Sequence, residues 1–175
     1  MIETPRLLLR EVELRDAEGF FEMDSDPLVV RFVGNTPVKD ISESVKVIEF
    51  VQSQYVQYGI GRLSVIDKAS GAFLGWCGLK RMLDTGLNGQ DDFVDIGYRF
   101  MRKHWGKGYA TESARAVLDY GFHTLGLPCI NAIARVDNHE SIKVLTKIGM
   151  QRCNTFDWEG ACIWFEKRKK NNDEL

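Results

Sequence analysis

From position 102 to 112 the chain reads Arg-Lys-His-Trp-Gly-Lys-Gly-Tyr-Ala-Thr-Glu, two glycines one residue apart between a basic run and an amphipathic stretch. Glycine lets the main chain approach an anion with no Cβ in the way, and the N–H groups and positive dipole end of a following helix supply the counter-charge. The chemistry on offer is the cradling of a phosphate. One other position carries a group that could move a proton: Asp95, in the apolar stretch leading into the cradle, whose carboxylate could take one from a nucleophile. Further on, Asn138 precedes Ser141 by one helical turn. Read without further context, Asp95 is a strand-edge charge, Asn138 a helix cap and Ser141 a solvated first-turn serine.

Spacing separates the phosphate-binding motifs. A Walker loop needs Ser or Thr after its lysine, but Gly108 follows Lys107. A dinucleotide fingerprint needs a third glycine where Thr111 stands and an acidic residue about 20 positions on, where Pro128 falls. What is left is the pattern [QR]-x-x-G-x-[GA], here Lys103-His104-Trp105-Gly106-Lys107-Gly108.

That pattern resembles the acetyl-CoA pyrophosphate loop of the GNAT N-acetyltransferase superfamily. The resemblance extends through Thr4-Pro5-Arg6-Leu7-Leu8-Leu9-Arg10, Asp95-Ile96-Gly97-Tyr98, the loop through Glu112, Asn138-His139-Glu140-Ser141 and Lys147-Ile148-Gly149-Met150, in the order of the RimJ/RimL-type ribosomal-protein acetyltransferase branch. It implies acetyl-CoA as co-substrate, no metal, and transfer to a primary amine, either a protein N-terminal α-amine or a small molecule, without a covalent enzyme intermediate. It also implies cofactor contacts at Phe100, Arg102, Lys103, His104, Gly106, Lys107, Gly108, Tyr109, Ala110 and Asn138, with Ser141 as acid and Asp95 as base. Lys103 departs from the usual Arg or Gln and cannot make a bidentate guanidinium contact. In the family the strand before the cradle donates an N–H to the oxyanion, which points to Tyr98–Phe100. A non-catalytic CoA-binding or ribosome-associated module is the alternative on the same fold, and a nucleotide-dependent oxidoreductase a third.

The acceptor's acidity sets how strong a base is needed. Neutralising a lysine of pKa about 10.4 at pH 7.4 costs roughly 4 kcal/mol, an α-amine near 7.8 only about 0.5. With no strong base evident, an α-amine is favoured; Glu112 is a further candidate base.

The elements that position these groups follow from periodicity. Arg6–Val12 reads as a strand, then Asp16 caps a helix bearing Ala17, Phe20 and Phe21; a second helix runs from Asp40 to Tyr58 and stops at Gly59. Gly61–Asp67 and Ala72–Leu79 pair across a short turn, Asp84–Asp91 is a polar loop, and Phe93–Met101 is a third strand. After the cradle come a helix with Ala110, Ala114, Val117, Leu118, Phe122 and Leu125 on one face, a strand from Cys129 to Val136, and a helix ending at Gly149. A hairpin of Met150–Phe156 and Ala161–Phe165 closes the chain. The expected fold is α/β (α+β): one GNAT-like domain over 1–168, with a mixed, mostly antiparallel sheet of about 6–7 strands, helices on both faces, and a polar tail at 169–175.

Composition agrees with one soluble domain: 175 residues, 44% hydrophobic, 27% charged and a net charge of -2, which gives no reason to expect nucleic acid. No apolar run reaches the ~18 residues that span a bilayer. The four cysteines lack C-x-x-C spacing and read as reduced core thiols. His123 and His139 have no metal-ligand spacing, and Trp76 and Cys77 read as packing residues. The expected setting is cytoplasmic, the expected assembly a monomer or homodimer.

Overall fold

A computed structural model describes residues 1–169. Strand β1 (Ile2–Glu3) and β2 (Leu7–Glu11) lead into α1 (Ala17–Asp24), the single turn α2 (Pro27–Val30) and α3 (Ile41–Tyr58). Then come β3 (Arg62–Asp67), β4 (Phe73–Leu87), β5 (Gln90–Phe100), α4 (Tyr109–Asp119), β6 (Cys129–Arg135), α5 (His139–Lys147), β7 (Gln151–Asp157) and β8 (Ala161–Arg168). One 8-stranded sheet has the order β1-β2-β3-β4-β5-β6-β8-β7. It exceeds the expected strand number because β1 adds an outer strand.

All neighbours pair antiparallel except β5 and β6, which are parallel and therefore need a crossover. That crossover is the glycine loop plus α4, so the topology itself puts the cradle at the C-terminal end of β5. α4 and α5 pack on one face, where Ala114, Val117, Leu118 and Leu145 join Leu7, Leu9, Leu74, Ile96 and Ile130 in the main core. Burying each of the larger of these side chains contributes about 1.5–3 kcal/mol. α1 and α3 cover the other face through Phe20, Met23, Ile48 and Val51.

Local signals explain most boundaries. Asp40 accepts from Ser42 N–H while Glu43 reaches back to the Asp40 N–H, a capping box, and Gly59 at φ +70 ends α3 in the left-handed conformation. Asp16 does not cap α1. Its side chain instead pairs with Arg10 (2.7 Å) and accepts from Ser64 Oγ (2.7 Å), because it is buried and a buried carboxylate needs a cation.

The expected loop at 84–91 is in fact the tip of a long hairpin. Leu87 pairs with Gln90 across Asn88 (φ +52) and Gly89 (φ +72), a two-residue turn whose left-handed pair suits Asn-Gly, and a register break between Leu83 and Leu87 absorbs the polar residues. The tip is tied to β7 by reciprocal amide bonds, Asn154 to Asn88 Oδ1 (2.7 Å) and Asn88 to Asn154 Oδ1 (3.2 Å). Cys77 and Cys162 are buried, but Cys153 is exposed on the edge strand β7, so it is no core thiol. Of the polar tail, residues 170–175 lie outside the described residues; Lys169 donates its N–H to Pro128 O (2.9 Å) and prolongs the run of β8. Among the described residues no helix is long and apolar enough to cross a membrane.

Candidate active site

β5 and β6 share one register pair, Asp95 with Asn131, and no further pair joins them among the described residues. The phase of the β4–β5 ladder decides what β5 shows to the β6 side. Met101 N–H donates to Leu74 O (3.0 Å), so in an antiparallel ladder residues 101, 99 and 97 turn their main-chain groups toward β4. Ile96, Tyr98 and Phe100 then turn theirs toward the β6 side, where Tyr98 and Phe100 lie beyond the single register pair. The N–H groups of Tyr98 and Phe100 line the seam, where an oxyanion donor was expected, and Phe100 O is taken by the Trp105 indole N–H (2.8 Å).

At the head of the seam lies the cradle. Gly106 (φ +72) and Gly108 (φ +81) both need the left-handed region, and an added Cβ at Gly106 would meet open space, so its glycine is required by backbone conformation and not by crowding. The first bond inside α4 is Glu112 N–H to Gly108 O (3.0 Å). The N–H groups of Gly108, Tyr109, Ala110 and Thr111 meet no acceptor among the described residues. Four donors and the positive helix end are therefore offered together at the start of α4, an arrangement suited to a polyanion.

The basic residues before the cradle are already engaged. Lys103 Nζ pairs with Glu22 (2.5 Å), Arg102 with Asp26 (2.8 Å) and Arg99 with Asp24 (2.7 Å). This ladder fastens α1 and α2 to the strand-to-loop segment, so in this structure Arg102 and Lys103 brace the cradle's approach. His104 stacks edge-on to Tyr109 at 6.3 Å, and burial, Lys107 and Lys103 lower its pKa. The Lys107 side chain is exposed, while its carbonyl accepts from Arg6 Nη1 (2.9 Å).

Sequence reasoning missed Arg6 as a site residue. Its Nε donates to Glu112 (2.7 Å), Glu112 also accepts from Thr4 Oγ1 (2.6 Å), and the guanidinium lies 4.6 Å over the Tyr109 ring. The partners stand 106 positions apart, so no local pattern announces them. Burial would raise the Glu112 pKa, but the bonds from Thr4 and Arg6 outweigh it and hold the carboxyl below its ordinary range, which suits an ionic anchor better than a base.

On the α4 side of the sheet, Tyr98, Asn138 and Ser141 come together. Asn138 Oδ1 caps α5 by accepting from Ser141 N–H (3.2 Å), and the Tyr98 phenol lies 3.0 Å from Ser141 Oγ and 3.1 Å from Ser141 O. Burial raises the Tyr98 pKa, so the phenol stays protonated. Asp95 points to the other face, where Arg62 Nη2 holds it at 2.6 Å. Burial raises its pKa and Arg62 opposes the rise. Trp76, half-buried, lies between the Arg62 and Arg99 guanidiniums, at 5.1 and 5.3 Å. The structure thus gathers the acid candidate and the cap on one side of the seam and leaves the base candidate on the other.

Residues 6–151 match the family model described as "Acetyltransferase (GNAT) domain". A Bacillus licheniformis protein named as the uncharacterized N-acetyltransferase p20 is 36% identical over 95% of this chain and 87% of its own. The crystal structure of a GNAT-family acetyltransferase from Bacillus anthracis superposes with a TM-score of 0.81 at 25% identity, covering 96% of this chain and 98% of that one. A spermidine N-acetyltransferase from Vibrio cholerae, solved in complex with CoA and spermine, shares the fold at TM-score 0.76 and 17% identity, with 95% and 97% covered.

Proposed function

This chain belongs to the GNAT acetyltransferase family and is an acetyl-CoA-dependent acyltransferase, and from that premise we propose how its own residues divide the work and which amine they serve. The observation that carries the proposal is the seam: the N–H groups of Tyr98 and Phe100, on the β6 side of β5 beyond its one register pair with β6, lead toward the unpaired N–H donors of Gly108–Thr111.

The donor supplies, when bound, an acetyl group activated as a thioester. The residues fit it. The cradle at Gly106–Thr111 takes the pyrophosphate, the seam holds the amide-bearing arm, and the Nδ2 amino group of Asn138 donates to the same arm while Oδ1 caps α5. Lys107 adds a cation at the rim. Tyr98 or Phe100 N–H stabilises developing oxyanion charge, worth about 3–4 kcal/mol for a well-placed donor.

Ser141 protonates the departing sulfur. Tyr98 has two acceptors in Ser141, the carbonyl and the hydroxyl, and turning its O–H from the first to the second lets the phenol, itself remaining protonated, stabilise the serine oxygen as that oxygen gives its proton to sulfur and regains one from solvent. Asp95 receives the amine's proton from the opposite face of the sheet. Burial strengthens it as a base and Arg62 opposes that gain, and an α-amine, neutralised at a cost of only about 0.5 kcal/mol, asks less of it than a lysine. The proposed acceptor is therefore an α-amine of a protein N-terminus or a small metabolite, in line with the RimJ/RimL-type motifs.

Calorimetry with CoA and transfer assays with acetyl-CoA test this. The expected result is CoA binding and acetylation of a peptide with a free N-terminus in preference to the same peptide N-blocked but carrying lysine. Transfer confined to lysine or to polyamines overturns the acceptor assignment, and absence of CoA binding overturns the donor assignment.

A further inference from the structure

Resting on the donor assignment above, we propose that Arg6 and Glu112 form a brace that turns the cradle's peptide planes toward the donor's pyrophosphate and cancels the carboxylate in the first turn of α4. Both are then positioning residues for the donor.

The geometry has two parts. Arg6 Nη1 donates to Lys107 O at 2.9 Å. In a trans peptide the C=O and the following N–H point in opposite directions, so drawing the Lys107 carbonyl toward Arg6 turns the Gly108 N–H away from it. A carbonyl dipole is thereby kept off the anion's side of the loop, and a donor is put there. Arg6 is itself fixed: its main-chain N–H donates to Glu112 Oε1 (3.1 Å), its Nε and Nη2 reach Glu112 Oε2 (2.7 and 2.6 Å), and its guanidinium covers the Tyr109 ring. Arg6 Nη2 also stands 3.5 Å from where a Cβ on Gly108 would lie, so the brace bonds Lys107 and leaves little room beside Gly108 for a side chain.

The second part is electrostatic. A carboxylate in the first turn stabilises a helix through its dipole, but it occupies the place where an anion would draw on the same field. Glu112 alone would repel the pyrophosphate. Paired with Arg6 it anchors the N-terminal segment to α4 and leaves the helix end's positive field to the ligand.

The test compares two donors that carry the same thioester, acetyl-CoA and S-acetylpantetheine, which lacks the pyrophosphate. Arg6→Met should raise the acetyl-CoA KM and the CoA Kd about tenfold to a hundredfold, the size of lost hydrogen bonds to a charged group. Its kcat/KM for S-acetylpantetheine should stay as in the wild type. Arg6→Met/Glu112→Gln should bind CoA more tightly than Arg6→Met, because the stranded carboxylate is gone. Arg6→Lys, which keeps the charge but cannot reach Lys107 O and Glu112 together, should show an intermediate loss and serves if the methionine variant does not fold. Equal losses with both donors, or a lowered Tm with unchanged CoA affinity, overturn the brace while the donor assignment stands. A wild-type protein that binds no CoA overturns both.

Discussion

The Tyr98 phenol oxygen lies 3.0 Å from the Ser141 hydroxyl and 3.1 Å from the carbonyl of the same residue, so one side chain from the sheet meets both polar atoms of the first turn of α5. If the pair works as one proton-delivering unit, Tyr98→Phe and Ser141→Ala should each lower kcat by about tenfold to a hundredfold and leave the acetyl-CoA KM near the wild-type value. The double variant should lose little more than either single one. Fully additive losses in a steady-state cycle would separate the two residues.

Glycine positions should divide by cause. At Gly75 (φ +156) an added Cβ would stand 2.1 Å from Arg99 O, a backbone atom that cannot step aside, so Gly75→Ala should be the most destabilising glycine substitution in β4. Gly106→Ala meets nothing and carries only the left-handed strain, on the order of 1 kcal/mol. Gly108→Val, strained and branched, should raise the acetyl-CoA KM or abolish turnover. Thermal unfolding alongside CoA titration checks all three; a Gly108→Val protein with normal kinetics would refute the cradle.

Asn138 has one atom for the helix and one for the donor. Asn138→Asp keeps a capping oxygen and removes the Nδ2 donor, so Tm should hardly move while CoA affinity falls. Asn138→Ala should lose both, with about 1 kcal/mol from the cap. Equal Tm and affinity for the aspartate variant and the wild type would reduce Asn138 to a cap.

Stability should fall in acid through Asp16. Burial works to raise its pKa, but Arg10, the Glu13 N–H and Ser64 together bring it below the ordinary 3.8. A depressed carboxyl binds fewer protons folded than unfolded, so its contribution is complete above that ordinary value and is lost as pH falls through the lower folded one. Asp16→Asn should lower Tm at pH 7 and flatten the decline below about pH 4. A variant curve parallel to the wild type across pH 2–7 would contradict this.

Much of this architecture is legible in local signals because its determinants are local. Asp40 with Glu43 and Gly59 bound a helix by capping chemistry, Asn138 and Gly149 bound another, and the glycine pair marks the crossover between two parallel strands. The polar stretch at 84–91 misleads because polarity suggests a loop, whereas Asn88-Gly89 alone makes the turn and the neighbouring polar residues lie on an exposed hairpin. The partners of Arg6, Lys103 and Asp95 are invisible in the chain, since Glu112, Glu22 and Arg62 reach them only through the fold. A motif places a residue at a site; what its charge is already doing there is a tertiary fact.

The lone rung between Asp95 and Asn131 has a mechanical meaning. Strands β1 to β5 form one antiparallel half of the sheet and β6, β8 and β7 another, and that rung is the one register pair joining them among the described residues. On the proposed donor seat, a ligand with alternating amide groups laid against the N–H groups of Tyr98 and Phe100 would take the place of rungs that β6 does not provide. Donor binding is then also a stitch, joining the half that carries Asp95 to the half that leads into Asn138 and Ser141, so that cohesion across the molecule's middle rises with occupancy of its own substrate.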